Sequence, residues 1–219
     1  MMIHQVDWKA IYPDMIFLNG PRNRREVALT FDDGPETNYT PRILSILSRH
    51  RVRAAFFCLG QHVAAYPNVL RQIVNQGHIV GNHSWSHADL SKVTVEEVRS
   101  EIRQTNQAIR NLTGLTPLYL RPPFGAISDQ EVQTVREFGM KIILWDTDSL
   151  DWSGITRDEI VQNVVSQVKP GSIILMHNFM GAKGLENTIQ ALPVIITRLR
   201  NMGYRFVSLE ELLSIPAYR

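Results

Sequence analysis

Two adjacent carboxylates, Asp32 and Asp33, follow the apolar run Val27-Ala28-Leu29-Thr30-Phe31 and stand directly before Gly34-Pro35. Bare carboxylates side by side repel, so the pair becomes stable when one binds a cation and the other meets a base such as Arg121. The plainer alternative is an Asx-turn with helix-dipole pairing. Further along, His83-Ser-Trp-Ser-His87 sets two imidazoles four residues apart, a spacing that on a helical turn lets both reach one divalent ion. Alone, such a pair is also consistent with capping or surface histidines. A carboxylate from another strand end turns the reading toward a metal. Arg121-Pro122-Pro123-Phe124-Gly125, Asp148 with Asp151, and His177 complete the unusual polar segments.

These residues are far apart in sequence, so a frame must gather them. The chain has 219 residues, 44% of them apolar, which suffices for one domain with a continuous core. Short β-rich runs alternate with amphipathic stretches, the pattern of parallel βα units. Strands are expected near 26–31, 53–58, 78–81, 118–121, 141–145, 172–176 and 204–207. Thr94, Ser128, Thr156 and Ser208 each precede a glutamate three residues on, the capping-box spacing of a helix start, and Thr40-Pro41 reads as another start. Gly77, Gly114, Gly139 and Gly203 sit where helices should stop, and Pro193 should kink or split a helix over 186–201. Seven successive βα units with both sheet faces covered imply a closed or nearly closed α/β barrel, with a doubly wound open sheet as the alternative. Every polar segment above lies at the C-terminal end of an expected strand, and in a parallel barrel those ends share one rim.

The ordered set Thr30-Phe31-Asp32-Asp33-Gly34-Pro35, His83-Ser-Trp-Ser-His87, Arg121-Pro-Pro-Phe-Gly125, Asp148-Ser-Leu-Asp151-Trp152 and Leu175-Met176-His177 resembles the five motifs of the polysaccharide deacetylases, the NodB-homology domain of carbohydrate esterase family four. The resemblance covers roughly residues 26 to 212 and implies a distorted (β/α)7 barrel. It further implies Asp32 as catalytic base, Asp33, His83 and His87 as ligands of one divalent metal, and His177 as general acid. Arg121 would orient Asp32, Asp151 would pair with His177, and the backbone N–H of Phe124 would help bind the oxyanion. An Asp-His-His donor set suits zinc and also admits cobalt, nickel or manganese. Pro123, Phe124, Gly125, Trp152 and Leu175 are the expected substrate contacts, whereas Trp85 and Trp145 are expected in the core.

The reaction so implied is hydrolysis of N-acetyl groups on an N-acetylglucosamine polymer or oligomer, chitin or peptidoglycan. An acetylxylan-type O-acetyl esterase and a non-catalytic sugar-binding module are the rivals. Residues 1–25 are expected to form an N-terminal extension packed on the barrel, and 213–219 a C-terminal tail. Asp7, Lys9, Pro13 and Asp14 interrupt any apolar stretch near the start, so no signal peptide or membrane span is visible, although the family favours action outside the cytoplasm. A net charge of +2, with basic residues dispersed along the chain, argues against nucleic acid as a partner, and a monomer is the default. Cys58 lies in an apolar run and reads as a buried structural thiol. His4, His50, His62 and His78 lack a partner at ligand spacing and read as structural or surface residues. Met180 reads as gap-filling.

Overall fold

The computed structural model describes residues 6–219, so the expectation for His4 falls outside the described residues. Nine strands occur among them: β1 (Ile16–Phe17), β2 (Glu26–Asp32), β3 (Ala55–Cys58), β4 (Ile79–Asn82), β5 (Tyr119–Leu120), β6 (Lys141–Ile143), β7 (Thr147–Asp148), β8 (Ile173–His177) and β9 (Arg205–Phe206). The helices are α1 (Trp8–Ile11), α2 (Tyr39–Arg49), α3 (Gly60–Ala65), α4 (Pro67–Asn75), α5 (Val95–Thr113), α6 (Asp129–Glu137), α7 (Arg157–Gln167), α8 (Glu186–Asn201) and α9 (Leu209–Leu213). All ladders between named strands are parallel, in the order β1-β6-β5-β4-β3-β2-β8-β7, with β9 added to β2. The chain is thus a single-domain distorted (β/α)7 barrel, and the open doubly wound alternative falls.

All seven expected strands are present. The two that sequence alone did not indicate, β1 and β7, are two residues each, too short to show a period. β2, the centre of the sheet, is buried along all seven residues and touches β3, β8 and β9. Its outer face packs with α2, α7 and α8 into one apolar cluster around Phe31, Leu47, Ile174 and Leu192. Cys58 is fully buried there, and burial pushes its thiol well above the usual range, as expected of an inert cysteine.

Thr94 and Thr156 form complete capping boxes with Glu97 and Glu159. Ser128 and Ser208 form only the serine half. In the first of these, Glu131 turns inward: both its oxygens are buried without partners, and burial pushes the carboxyl up to about 8. Thr40-Pro41 is not the start of α2, which begins at Tyr39 with Asn38 as its cap residue; the Glu36 carboxylate takes the N–H groups of Asn38, Tyr39 and Thr40 instead. Pro193 does not split α8, which runs unbroken through it.

Candidate active site

The C-terminal ends of β2, β4, β5, β7 and β8 deliver their polar residues to one rim. Among the described residues, five of the seven non-glycine residues with left-handed backbone lie in these rim loops: Asp33 (φ 78°), Ser84 (68°), His87 (65°), Phe124 (63°) and Leu150 (57°). Such conformations cost roughly 1–3 kcal/mol each and persist where surrounding structure over-determines them.

Asp33 Oδ1 lies 3.2 Å from His83 Nε2 and 3.3 Å from His87 Nε2. His83 Nδ1 is 2.7 Å from the carbonyl oxygen of Arg121, which can only accept, so Nδ1 carries a proton, and in the neutral ring Nε2 presents its lone pair. A lone pair facing a carboxylate oxygen at this distance repels unless a proton or a cation sits between them. Asp33 Oδ1 is buried and has no hydrogen-bond partner of its own. Burial opposes ionisation of Asp33, but the neighbouring imidazoles of His83 and His87 outweigh it and hold the carboxyl well below the usual range. Buried His83 is pushed above the ordinary imidazole value, burial being outweighed by the charges of Asp32 and Asp33. The three donor atoms lie within 4.8 Å of one another, so the residues present fit a divalent ion.

Asp32 is held apart from this set by Arg121. The guanidinium is fully buried; Nη1 donates to Asp32 Oδ1 and to Thr30 Oγ1, each at 2.8 Å, while Nε and Nη2 donate to the carbonyls of Ile143 and Leu144. Phe57 lies against its face at 4.2 Å. Asp32 Oδ2 remains free of Arg121 and lies 3.8 Å from His83 Nε2.

Across the rim, His177 Nδ1 contacts Asp151 Oδ1 at 2.7 Å. Asp151 Oδ2 accepts from the backbone N–H of His177 (3.0 Å) and from Thr188 Oγ1 (3.1 Å). Burial disfavours the imidazolium, but the charge and hydrogen bond of Asp151, with smaller contributions from Asp32 and Asp33, raise His177 to about 9. A cavity of about 560 Å³ joins the two sides and is lined by Asp32, Asp33, His83, His87 and His177 together with Phe124, Trp152 and Leu175. Phe124 is 68% and Trp152 45% exposed, large apolar surfaces left open at a polar cleft. Pro123 and Gly125 do not reach it; Pro122 does. Trp145, expected in the core, also lines the cleft, because its ring packs against Gly125 and over Arg121. Met180 lines it as well.

Sequence reasoning missed the residues that brace this rim. Asn178 is fully buried; its N–H donates to the carbonyl of Asp32, its Oδ1 accepts from Gly34 N–H at 3.0 Å, and its Nδ2 donates to Thr40 Oγ1 at 3.0 Å. The His177 loop and the Asp32-Asp33 loop are therefore tied directly together. Gly34 allows this approach: a Cβ there would stand 2.0 Å from Asn178 Nδ2. Glu101 on α5 accepts from the N–H groups of Trp85 and Ser86 and from Ser86 Oγ, which fixes the turn carrying His83 and His87. His62, expected to be structural or surface, meets the carbonyl of Asp33 and stacks edgewise on Phe179. His78 is structural, as expected: it is buried, accepts from Ala54 N–H, and is pushed down to about 4 by burial and then by Arg53. The signal for Asn178 was its position next to His177; nothing in its type marked it.

The polysaccharide deacetylase family model matches residues 19–143, so the chain belongs to that family, whose chemistry is hydrolytic deacetylation of N-acetyl amide bonds. A peptidoglycan-N-acetylglucosamine deacetylase of Bacillus cereus is 41% identical over 201 residues, covering 92% of this chain and 73% of the relative. Among solved structures, the Bc1960 peptidoglycan N-acetylglucosamine deacetylase, in complex with 4-naphthalen-1-yl-N-oxidanyl-benzamide, superposes with a TM-score of 0.94 at 37% identity, over 98% of this chain and 100% of that one. BA3943, a CE4 family pseudoenzyme from Bacillus anthracis, also matches, with a TM-score of 0.84 at 32% identity, over 90% of this chain and 68% of that one. Likeness of fold therefore does not separate active from inactive relatives, and the rim residues must.

Proposed function

We propose that this protein is a metal-dependent deacetylase that removes N-acetyl groups from N-acetylglucosamine residues of peptidoglycan, with Asp32 as base and His177 as acid. The observation that carries the reading is the orphaned buried oxygen of Asp33 facing two imidazole nitrogens, with an Arg121-bound carboxylate on one side and an imidazole–carboxylate pair on the other. Asp33, His83 and His87 would hold the ion, zinc in first place for this donor set, with cobalt, nickel and manganese as alternatives. When bound, a divalent ion supplies Lewis-acid polarisation of the acetyl carbonyl and a more acidic water.

The chain's own residues do the rest. Arg121 holds Asp32 in place through its hydrogen bond to Oδ1, leaving Oδ2 free to take a proton from the attacking water. The N–H of Phe124 is offered to the developing oxyanion, a contribution of roughly 3–4 kcal/mol where such donors are fixed. His177, charged through Asp151, delivers a proton to the departing amine, which cannot leave as an anion. Trp152, Phe124 and Leu175 present apolar surface for the sugar face and the acetyl methyl.

The names of the relatives support peptidoglycan over chitin, and action outside the cytoplasm at the cell wall is proposed on the ground that such a substrate lies there. We assign residues 26–212 as the catalytic domain, with 1–25 and 213–219 as the segments before and after it. One chain supplies every group named, so the proposal takes a monomer as its working unit. Acetate release from N-acetylated peptidoglycan glycan and from chitooligosaccharides, with zinc added, tests the proposal. Turnover on the glycan that is abolished in Asp32→Asn is expected; no release from either substrate at any metal would leave the sugar-binding module as the better reading, and release from acetylxylan alone the esterase.

A further inference from the structure

Four helices end in the same way. After α4, α5, α6 and α8 the chain turns through a left-handed residue, and in each it is glycine: Gly77 (φ 78°), Gly114 (76°), Gly139 (67°) and Gly203 (83°). Three of these turns close with the same pair of bonds, for α4 Gly77 N–H to Val74 O and His78 N–H to Ile73 O. That is the motif for which glycine is preferred, because no Cβ clashes. α2 closes identically, with Arg51 N–H to Ser48 O and Val52 N–H to Leu47 O, yet its left-handed residue is Arg51 (φ 51°). Outside the rim loops, Arg51 and Ser214 are the two non-glycine residues with this strained backbone among the described residues.

Arg51 lines a surface cavity of about 660 Å³ together with Arg49, Arg53, Ser45, Ser48 and His78. The cavity lies where β3 and β4 begin, at the opposite end of the barrel from the catalytic rim. No carboxylate lines it, and none of the three guanidiniums forms an ion pair among the described residues, although arginines elsewhere on the surface do. The end of α2 accounts for Arg49, whose Nε donates to the carbonyl of Ser45 at 3.3 Å. It does not account for Arg51 and Arg53, which lie beyond the last turn. Three of the chain's 23 Lys and Arg residues thus meet around one hollow without an ion pair among the described residues, with two hydroxyls beside them.

We infer that this cavity is a second ligand site, at which Arg49, Arg51 and Arg53 bind a phosphate group. Guanidinium forks match the several acceptor oxygens of phosphate, and gathering like charges without an anion is unfavourable. The strained arginine marks a position where the backbone alone would favour glycine.

Isothermal titration of the metal-loaded protein with inorganic pyrophosphate and with a poly(glycerol phosphate) chain tests this, alongside Arg51→Gly and Arg53→Gln. Wild type is expected to bind, each substitution to weaken binding about tenfold or more, and Arg51→Gly to raise Tm by about 2–4 °C by relieving the backbone. Tighter binding of the chain assigns a polymer as the source of the phosphate; tighter binding of pyrophosphate assigns a free anion. Absence of binding to wild type, an affinity unchanged by both substitutions, or a fall in Tm for Arg51→Gly would overturn the proposal, the second outcome placing the anion elsewhere, the catalytic rim included.

Discussion

On the His177 wall of the cleft, Asp151 gives one oxygen to the imidazole and the other to a backbone N–H and Thr188, so that pair is complete within the chain. On the Asp33 wall a buried oxygen faces two imidazole nitrogens and has no donor of its own. The difference teaches what each wall depends on. On the proposed function, the acid side would be set by folding alone, whereas the other side would reach its working charge balance only with a cation in place, with Asp32 bound instead to Arg121.

If that contrast is right, the two walls should fail differently. The largest effect is expected from removing the cation: a chelator, or His83→Ala, should lower turnover by about a thousandfold or more, since an ion of this kind supplies several kcal/mol. Adding zinc should restore the chelated protein and leave His83→Ala unrestored; a chelated enzyme that keeps full activity would break the comparison. His177→Ala should cost about 10²–10⁴ in kcat on an amide and far less on an acetyl ester, whose leaving group needs little help, while zinc affinity measured by titration stays the same.

Asn178→Ala probes the link between the walls. Loss of the bond to Gly34 lets the acid and base loops separate, so kcat should fall about 10–100-fold with KM within about twofold, because misplacement near 1 Å is costly. A lower Tm with unchanged kcat, measured where the variant is folded, would make Asn178 merely structural. The smallest effect at neutral pH is expected from Asp151→Asn. His177 is raised to about 9 in the fold, so its acid form persists through neutrality and activity should decline as pH passes about 9. Without the charge of Asp151 the decline should move toward the ordinary value of about 6.5. The sign for stability agrees: a raised pKa contributes stability that is fully present below about 6.5 and is lost as pH climbs through about 9, so wild-type Tm should drop across that window and the Asp151→Asn variant should drop less. Coincident pH–rate profiles would remove the role given to Asp151.

The seven strands and the glycine helix stops were legible because period and backbone stereochemistry act locally: Gly77 and Gly139 end helices for reasons contained within six residues. The convergence of Asp33, His83 and His87 was legible from strand ends, since parallel strands share one rim. The bracing was not. Glu36, rather than Thr40, closes the N-terminus of α2 because a carboxylate that reaches three N–H groups outcompetes a hydroxyl. The motif points Pro123 and Gly125 toward the cleft, yet the left-handed turn at Phe124 sends that side chain to the opening and packs Gly125 under Trp145. Glu101, Asn178 and His62 act through contacts with distant loops, and a residue's type carries no record of such a neighbour.

Because Gly34 has room for nothing larger than hydrogen where Asn178 reaches across 144 positions of chain to meet it, the two sites form one heritable unit. A side chain acquired at position 34 would survive selection only beside a smaller partner at 178, and the hydrogen bond would vanish in the exchange. Drift in this family should therefore show these two positions changing together or not at all.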